Sequence, residues 1–160
     1  MGPIAVIVAV GLIYEFAGGC GHDEWKAAGE AVVPVVRVVD GDTIRVRYDG
    51  EEEYVRYIGI DTPESVKPGS PVECFGPEAK ELNERLVGDR VRLVFDRERR
   101  DRYGRLLAYV YSGPGMVNGA LVRRGYATAY AVPPNDHRAG FFERLEERAR
   151  ATGRGLWSAC

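Results

Sequence analysis

The sequence predicts an α+β domain, mainly β: a small closed barrel of five short strands with three helices packed against it. Three observations carry that expectation. Apolar and charged residues alternate along several short runs, the period of half-buried strands. Asp-Gly, Gly-Pro-Gly and Pro-Pro-Asn clusters punctuate those runs as turns. One helical stretch is interposed among the strands and two more follow them. At 160 residues, 45% hydrophobic and 29% charged, the chain has the material for one domain with one core, and it holds no internal repeat or low-complexity run.

Taken in order, Ile4 to Tyr14 is an apolar run followed by Ala17-Gly18-Gly19-Cys20. It is too short to span a bilayer and suits the apolar region of an export signal. A cysteine behind small residues resembles the lipobox of lipoprotein signals, although no Lys or Arg precedes the run and Glu15 interrupts its end. Residues 1–20 are therefore expected to be a signal peptide or lipoprotein-type anchor, and the protein to be exported, either membrane-anchored or secreted. A misplaced start is the remaining alternative. Residues 21–31 read as a polar linker and 32–160 as the folded domain.

Val32 to Val39 is valine-rich and reads as the first strand. Asp40-Gly41 turns the chain into Thr43 to Tyr48, where Ile44, Val46 and Tyr48 alternate with Arg45 and Arg47. Asp49-Gly50 signals a hairpin, and Glu53 to Ile60 returns as a third strand. Residues 61–75 hold Pro63, Pro68, Pro71 and Gly69 and read as a mobile loop. Pro77 and Glu78 open a helix that runs to Val87 and stops at Gly88. Arg90 to Phe95 and Leu106 to Tyr111 are the fourth and fifth strands. Val117 to Arg124 is a short helix closed by Gly125. Arg138 to Thr152 is an amphipathic helix with Phe141, Leu145 and Ala149 on its apolar face, and Leu156-Trp157 folds back as a hydrophobic plug. The five-stranded OB-fold barrel is the architecture these elements fit.

The net charge of −2 does not announce a nucleic-acid partner. Charge is nevertheless uneven: between Arg90 and Arg105 seven arginines stand against three acids. That run reads either as an ion-paired surface or as a patch facing phosphate. Of three cysteines, Cys20 would be consumed by lipid, leaving Cys74 and Cys160 as a bridge or as two unrelated thiols. No C-x-x-C or Cys/His pairing points to zinc, and neither His22 nor His137 has an evident role.

Two segments carry the chemistry, Val39-Asp40-Gly41-Asp42-Thr43 and Arg56-Tyr-Ile-Gly-Ile-Asp61-Thr62-Pro63-Glu64, with Asp101-Arg102-Tyr103-Gly104-Arg105 as a third. Each alone is ordinary turn composition. Together, Asp42 and Asp61 end a strand or turn on one side of the same meander and are expected to meet. Carboxylate oxygens suit a hard cation, a spare glutamate suits proton abstraction from water, and guanidiniums match phosphate oxygens. That set is sufficient to hydrolyse a phosphodiester. Tyr130, beside the proline loop, is the better placed of Tyr126 and Tyr130 for stacking on a base.

These motifs, with Phe75-Gly76-Pro77-Glu78-Ala79, Met116 to Gly125 and Gly155-Leu156-Trp157, resemble the staphylococcal nuclease (thermonuclease) family, in order and over about residues 32–158. The resemblance implies an OB-fold barrel and a calcium-dependent nuclease of DNA and RNA that leaves 3′-phosphate ends. It implies that Asp42, Asp61 and the Thr62 carbonyl hold calcium, that Glu64 is the general base, and that Arg56 and Arg105 bind phosphate. It further implies that Arg102 and Tyr103 grip a terminal phosphate and that Tyr130 stacks on the nucleotide. The expected partners are single-stranded or locally melted DNA and RNA, with attachment to a membrane through the N-terminus and a monomeric state. Two departures stand out: the stretch from Ala127 to Pro134 is one residue short, and Val132 stands where a second tyrosine is expected. The rival readings are a non-catalytic nucleic-acid or protein-binding OB-fold module and an anchored structural lipoprotein.

Overall fold

A computed structural model describes residues 27–65, 69 and 71–160. The expected export segment, Cys20, and the loop residues 66–68 and 70, Pro68 among them, lie outside the described residues.

Strand β1 (Gly29–Asp40) is long because it serves two neighbours. Its first half pairs antiparallel with β5 (Arg90–Phe95), from Gly29 opposite Phe95 to Pro34 opposite Arg90. Its second half pairs with β2 (Thr43–Tyr48), through register shifts between Val35 and Arg37 and between Val38 and Asp40. Such shifts bend a strand, and Pro34, which has no N–H to give, sits where the partner changes. The strand expected from Val32 thus begins at Gly29, so the last residues read as linker belong to the sheet.

Asp49 and Gly50 both take positive φ (50° and 89°), the conformation that a two-residue hairpin needs, and join β2 to β3 (Glu51–Tyr57). β6 (Leu106–Ser112) pairs antiparallel with β5 and parallel with β3, which closes the five-stranded barrel. A short β7 (Gly115–Met116) extends β6. The core is filled by Ile44, Val46, Val55, Leu93, Leu106 and Tyr109, all essentially inaccessible.

The third strand is not continuous to Ile60 as expected. It ends at Tyr57, and Gly59 to Asp61 forms a separate β4 that leaves the barrel to pair with β8 (Thr128–Tyr130). Gly59 has φ of 80°, and a Cβ there would lie 2.4 Å from the Phe142 ring. The break exists because an aromatic ring packs on bare backbone at that point.

Helix α1 (Gly76–Leu86), α2 (Val117–Arg123) and α3 (Ala139–Ala151) cover the barrel, followed by a short α4 (Leu156–Ala159). The apolar face of α3 differs in phase from the expectation. Phe142 and Ala149 are buried, Leu145 is partly so, and Phe141 is left 38% exposed over Gly119. Leu156 and Trp157 are only half-buried, so they form no plug; Trp157 lies under the Arg150 guanidinium, 4.0 Å from it.

Cys74 and Cys160 are bridged, with Cα atoms 6.1 Å apart across a sequence separation of 86. Closing a loop of that length contributes about 4–5 kcal/mol in the chain-entropy description.

Candidate active site

The turn between β1 and β2 is built from the inside. Asp42 is fully buried, and its Oδ2 accepts from the Thr62 amide at 2.9 Å and the Thr62 hydroxyl at 3.0 Å. Its Oδ1 accepts from the Thr43 hydroxyl at 3.1 Å and is ion-paired with Arg56. Gly41 permits this: a Cβ there would lie 2.6 Å from the Thr62 hydroxyl and 2.9 Å from the Ala79 methyl. The loop after β4 and helix α1 therefore both close on bare backbone.

Arg56, on β3, reaches two carboxylates with one guanidinium: one nitrogen pairs with Asp42, the other with Asp61 and the Ile60 carbonyl. The break at Ile58–Gly59 is what brings Asp61 back to Arg56 despite their spacing along an alternating run. Burial alone would pull the Arg56 guanidinium down, but Asp42 and Asp61 outweigh it and hold it above its ordinary pKa. Asp42, Asp61, Thr62 and Arg56 are thus together, as expected.

Glu64 lies one step away, against a residue that sequence reasoning did not single out. Its carboxyl hydrogen-bonds that of Asp40. Asp40 Oδ1 also accepts from the Ser65 hydroxyl at 2.6 Å and from the Gly41 amide at 2.8 Å. Burial raises the Asp40 pKa; the hydrogen bonds from Ser65 and Gly41 pull it back, while Glu64 and Asp42 add to the rise. One further residue was missed. Asn83 on α1 is fully buried, donates to the Asp40 carbonyl at 2.9 Å and accepts from the Tyr57 hydroxyl at 2.8 Å. The available signal was a polar residue between Leu82 and Leu86 on an otherwise apolar helix face.

Beside this centre lies a cavity of about 520 Å³ lined by Arg56, Arg102, Tyr103, Arg105 and Tyr130 among others. Asp101 organises its rim, accepting from the Tyr103 and Arg105 amides at 2.9 Å and from Arg105 Nε at 2.7 Å. Arg105 is held through its Nε, and its guanidinium also lies over the Tyr103 ring, 5.6 Å from the centre. Arg102 stacks on Tyr103, 4.7 Å from the ring centre, and donates to its hydroxyl. Tyr103 and Tyr130 are the exposed aromatics of the rim. Within the arginine run, Arg92, Arg100 and Arg105 are ion-paired with Glu30, Glu53 and Asp101, and Arg102 and Arg105 line the cavity.

Among the described residues no three His, Cys, Asp or Glu side chains converge as a ready metal cage. The donors that do converge, Asp42, Asp61 and Thr62, are all oxygen and carry two negative charges. That set fits a hard divalent cation completed by water and substrate oxygens.

The model of the family described as Staphylococcal nuclease homologue matches residues 54–159. The thermonuclease of Staphylococcus intermedius is 41% identical over 158 residues, covering 96% of this chain and 94% of its own. The chain belongs to the staphylococcal nuclease family. The thermonuclease of Staphylococcus hyicus is 42% identical, over 82% of this chain and 78% of its own. Endonuclease YncB of Bacillus subtilis is 42% identical over 79% of this chain, which spans 61% of that longer relative. Staphylococcal nuclease family membership and the relatives' names together support a nuclease, a hydrolase acting on nucleic acids. The match of the family's model begins after Asp42, but the alignment with the Staphylococcus intermedius protein, at 96% of this chain, extends to the acidic turn.

Proposed function

We propose that this nuclease is calcium-dependent, cleaves phosphodiester bonds of single-stranded or locally melted DNA and RNA, and leaves 3′-phosphate ends. The observation that carries the reading is Arg56 held across Asp42 and Asp61, on the wall of the cavity that Arg105 also lines.

Asp42, Asp61 and the Thr62 carbonyl would hold the cation. When bound, calcium supplies charge neutralisation at a phosphate oxygen and acidifies a water molecule. The remaining work belongs to side chains of this chain. Glu64, whose carboxyl is hydrogen-bonded to that of Asp40, takes a proton from the attacking water. Water oxygen bonds to phosphorus as the bond to the 5′-oxygen breaks; that oxygen leaves as a hydroxyl, taking a proton from solvent, and the phosphate stays on the 3′ side. Arg56 and Arg105 donate to the phosphate oxygens whose charge grows during that exchange. Asp101 fixes Arg105 in advance, so little ordering is required at the moment of reaction. Tyr103 and Tyr130 offer π-faces to bases and Arg102 a charge to an outer phosphate.

The same reading takes the protein to be a monomer that acts outside the cytoplasm, secreted or anchored through its N-terminal segment. The disulfide supports an oxidising compartment. The deciding experiment incubates purified protein with single-stranded DNA or RNA in calcium or in chelator, and identifies the new ends by their susceptibility to a 3′-phosphatase. Cleavage that persists in chelator overturns the metal role. Binding without cleavage favours the non-catalytic module.

A further inference from the structure

The chain leaves the site at Glu64 and returns at Glu73, and the two residues are joined reciprocally. The Glu73 amide donates to the Glu64 carbonyl at 2.9 Å, and the Glu64 amide donates to the Glu73 carboxylate at 3.0 Å. The clamp continues into α1. Glu73 accepts from the Gly76 amide at 3.0 Å, and a Cβ on Gly76 would lie 2.6 Å from the Glu64 carbonyl oxygen. No side chain larger than hydrogen fits there, so the start of α1 rests directly on the Glu64 backbone.

Glu73 is itself exposed, and hydrogen bonds in such a position contribute only about 1 kcal/mol each and open readily. What distinguishes this clamp is its next residue. Cys74 is covalently joined to Cys160, the residue after α4. On the other flank Phe75 packs on Tyr126 with ring centres 4.7 Å apart. Residue 73 is thus adjacent to a covalent anchor, and Glu64 is held by residue 73.

We propose that Glu73 is a positioning residue for Glu64, and that the Cys74–Cys160 disulfide keeps it in place, so that the rate of the chemical step depends on the bridge. This rests on the reading of Glu64 as general base. A tethered clamp keeps the Glu64 carboxylate within reach of the water it deprotonates; an untethered one lets Glu73 part from the Glu64 backbone and withdraws the base. Asp42 and Arg56 lie on other elements and are unaffected.

The test compares wild type, Glu73→Ala, Glu73→Gln, Glu64→Gln, the Glu73→Ala/Glu64→Gln double variant and a Cys74→Ala/Cys160→Ala variant, with folding checked by circular dichroism at the assay temperature. The expected results are a roughly tenfold lower kcat for Glu73→Ala and for the Cys74→Ala/Cys160→Ala protein, about 1.4 kcal/mol, with KM and calcium affinity unchanged. Glu73→Gln, which keeps an acceptor oxygen for the Glu64 amide, restores activity. Reduction lowers kcat of wild type and reoxidation returns it, while the Cys74→Ala/Cys160→Ala protein responds to neither. The double variant is no slower than Glu64→Gln alone. Wild-type kcat in folded Glu73→Ala overturns the positioning role, as does a further tenfold loss when Glu73→Ala is added to Glu64→Gln. A Cys74→Ala/Cys160→Ala protein with a lower melting temperature but unchanged kcat overturns the dependence on the bridge. Full activity in Glu64→Gln instead removes the base assignment, and with it the premise.

Discussion

Replacing Asn83 by alanine tests whether the acidic turn is held from behind. The Asn83 amide lies between the Tyr57 hydroxyl at 2.8 Å and the Asp40 carbonyl at 2.9 Å, and both Tyr57 and Asn83 are shut off from solvent. Burial pushes the Tyr57 phenol far above its ordinary pKa, so it remains a donor at every working pH. Asn83→Ala strands one buried donor and one buried acceptor, each at about 1–3 kcal/mol, and removes the packing of the amide. The expected loss is about 3–5 kcal/mol, read as a lower urea midpoint at unchanged m-value. Tyr57→Phe strands only the Asn83 oxygen and is expected to cost about 1–3 kcal/mol. In the double variant the Tyr57 hydroxyl and its acceptor are both gone, so the two losses should fall short of adding by about 1–2 kcal/mol. The Asp40 carbonyl leads directly into the Gly41-Asp42 turn, so Asn83→Ala should also weaken binding of the proposed calcium ion, measured by titration calorimetry, where Tyr57→Phe does so less. Additive losses, or an Asn83→Ala protein within 1 kcal/mol of wild type, would refute the strut; the latter figure is set by the lower end of a single stranded group.

Three other outcomes are expected. Arg105→Ala should lower the single-turnover rate about 10²–10³-fold with little change in stability, since Arg105 is only partly buried and its pair with Asp101 is at the surface; a loss under fivefold, a small fraction of that range, would remove it from the transition state. The Asp40 carboxyl is raised from 3.8 in the folded protein, chiefly by burial. The native state therefore keeps a proton that the unfolded chain has lost, and the associated stability is complete below 3.8 and disappears as pH climbs through the folded value. Urea midpoints measured without divalent cations should show that decline in wild type and not in Asp40→Asn, and parallel profiles would contradict it. Removing both Cys74 and Cys160 should cost about 4–5 kcal/mol at equilibrium; a loss below 1 kcal/mol would mean that the bridge does not restrict the unfolded chain as the loop-closure term requires.

Elements bounded by turn chemistry were legible in the sequence, and elements whose limits are set by a distant neighbour were not. β2 and β5 match their expected spans because alternation and Asp-Gly or helix-end glycine mark both ends. The division between β3 and β4 escaped notice because Val55 to Ile60 is a run of mostly apolar residues whose interruption depends on a ring from α3, 83 positions along the chain (142 minus 59). The phase of α3 failed for the same contact: Phe141 and Phe142 both fit helical spacing, and only the recess at Gly59 selects Phe142. In the candidate site, the charged groups were legible because their chemistry is visible one residue at a time. Asp42, Asp61, Arg56 and Arg105 each announce what they could bind. Their positioning partners do not. Asn83 reads as a helix-surface residue until Tyr57 is placed against it, Asp40 reads as a turn former until Glu64 reaches it, and Glu73 reads as a loop acid until its carboxylate meets the Glu64 amide. A positioning group is defined by a relation across the fold, and the composition of its own segment carries no trace of that relation. It follows that variants at Asn83 and Glu73 discriminate between this architecture and any other arrangement of the same acids and arginines, which variants of the acids and arginines themselves cannot do.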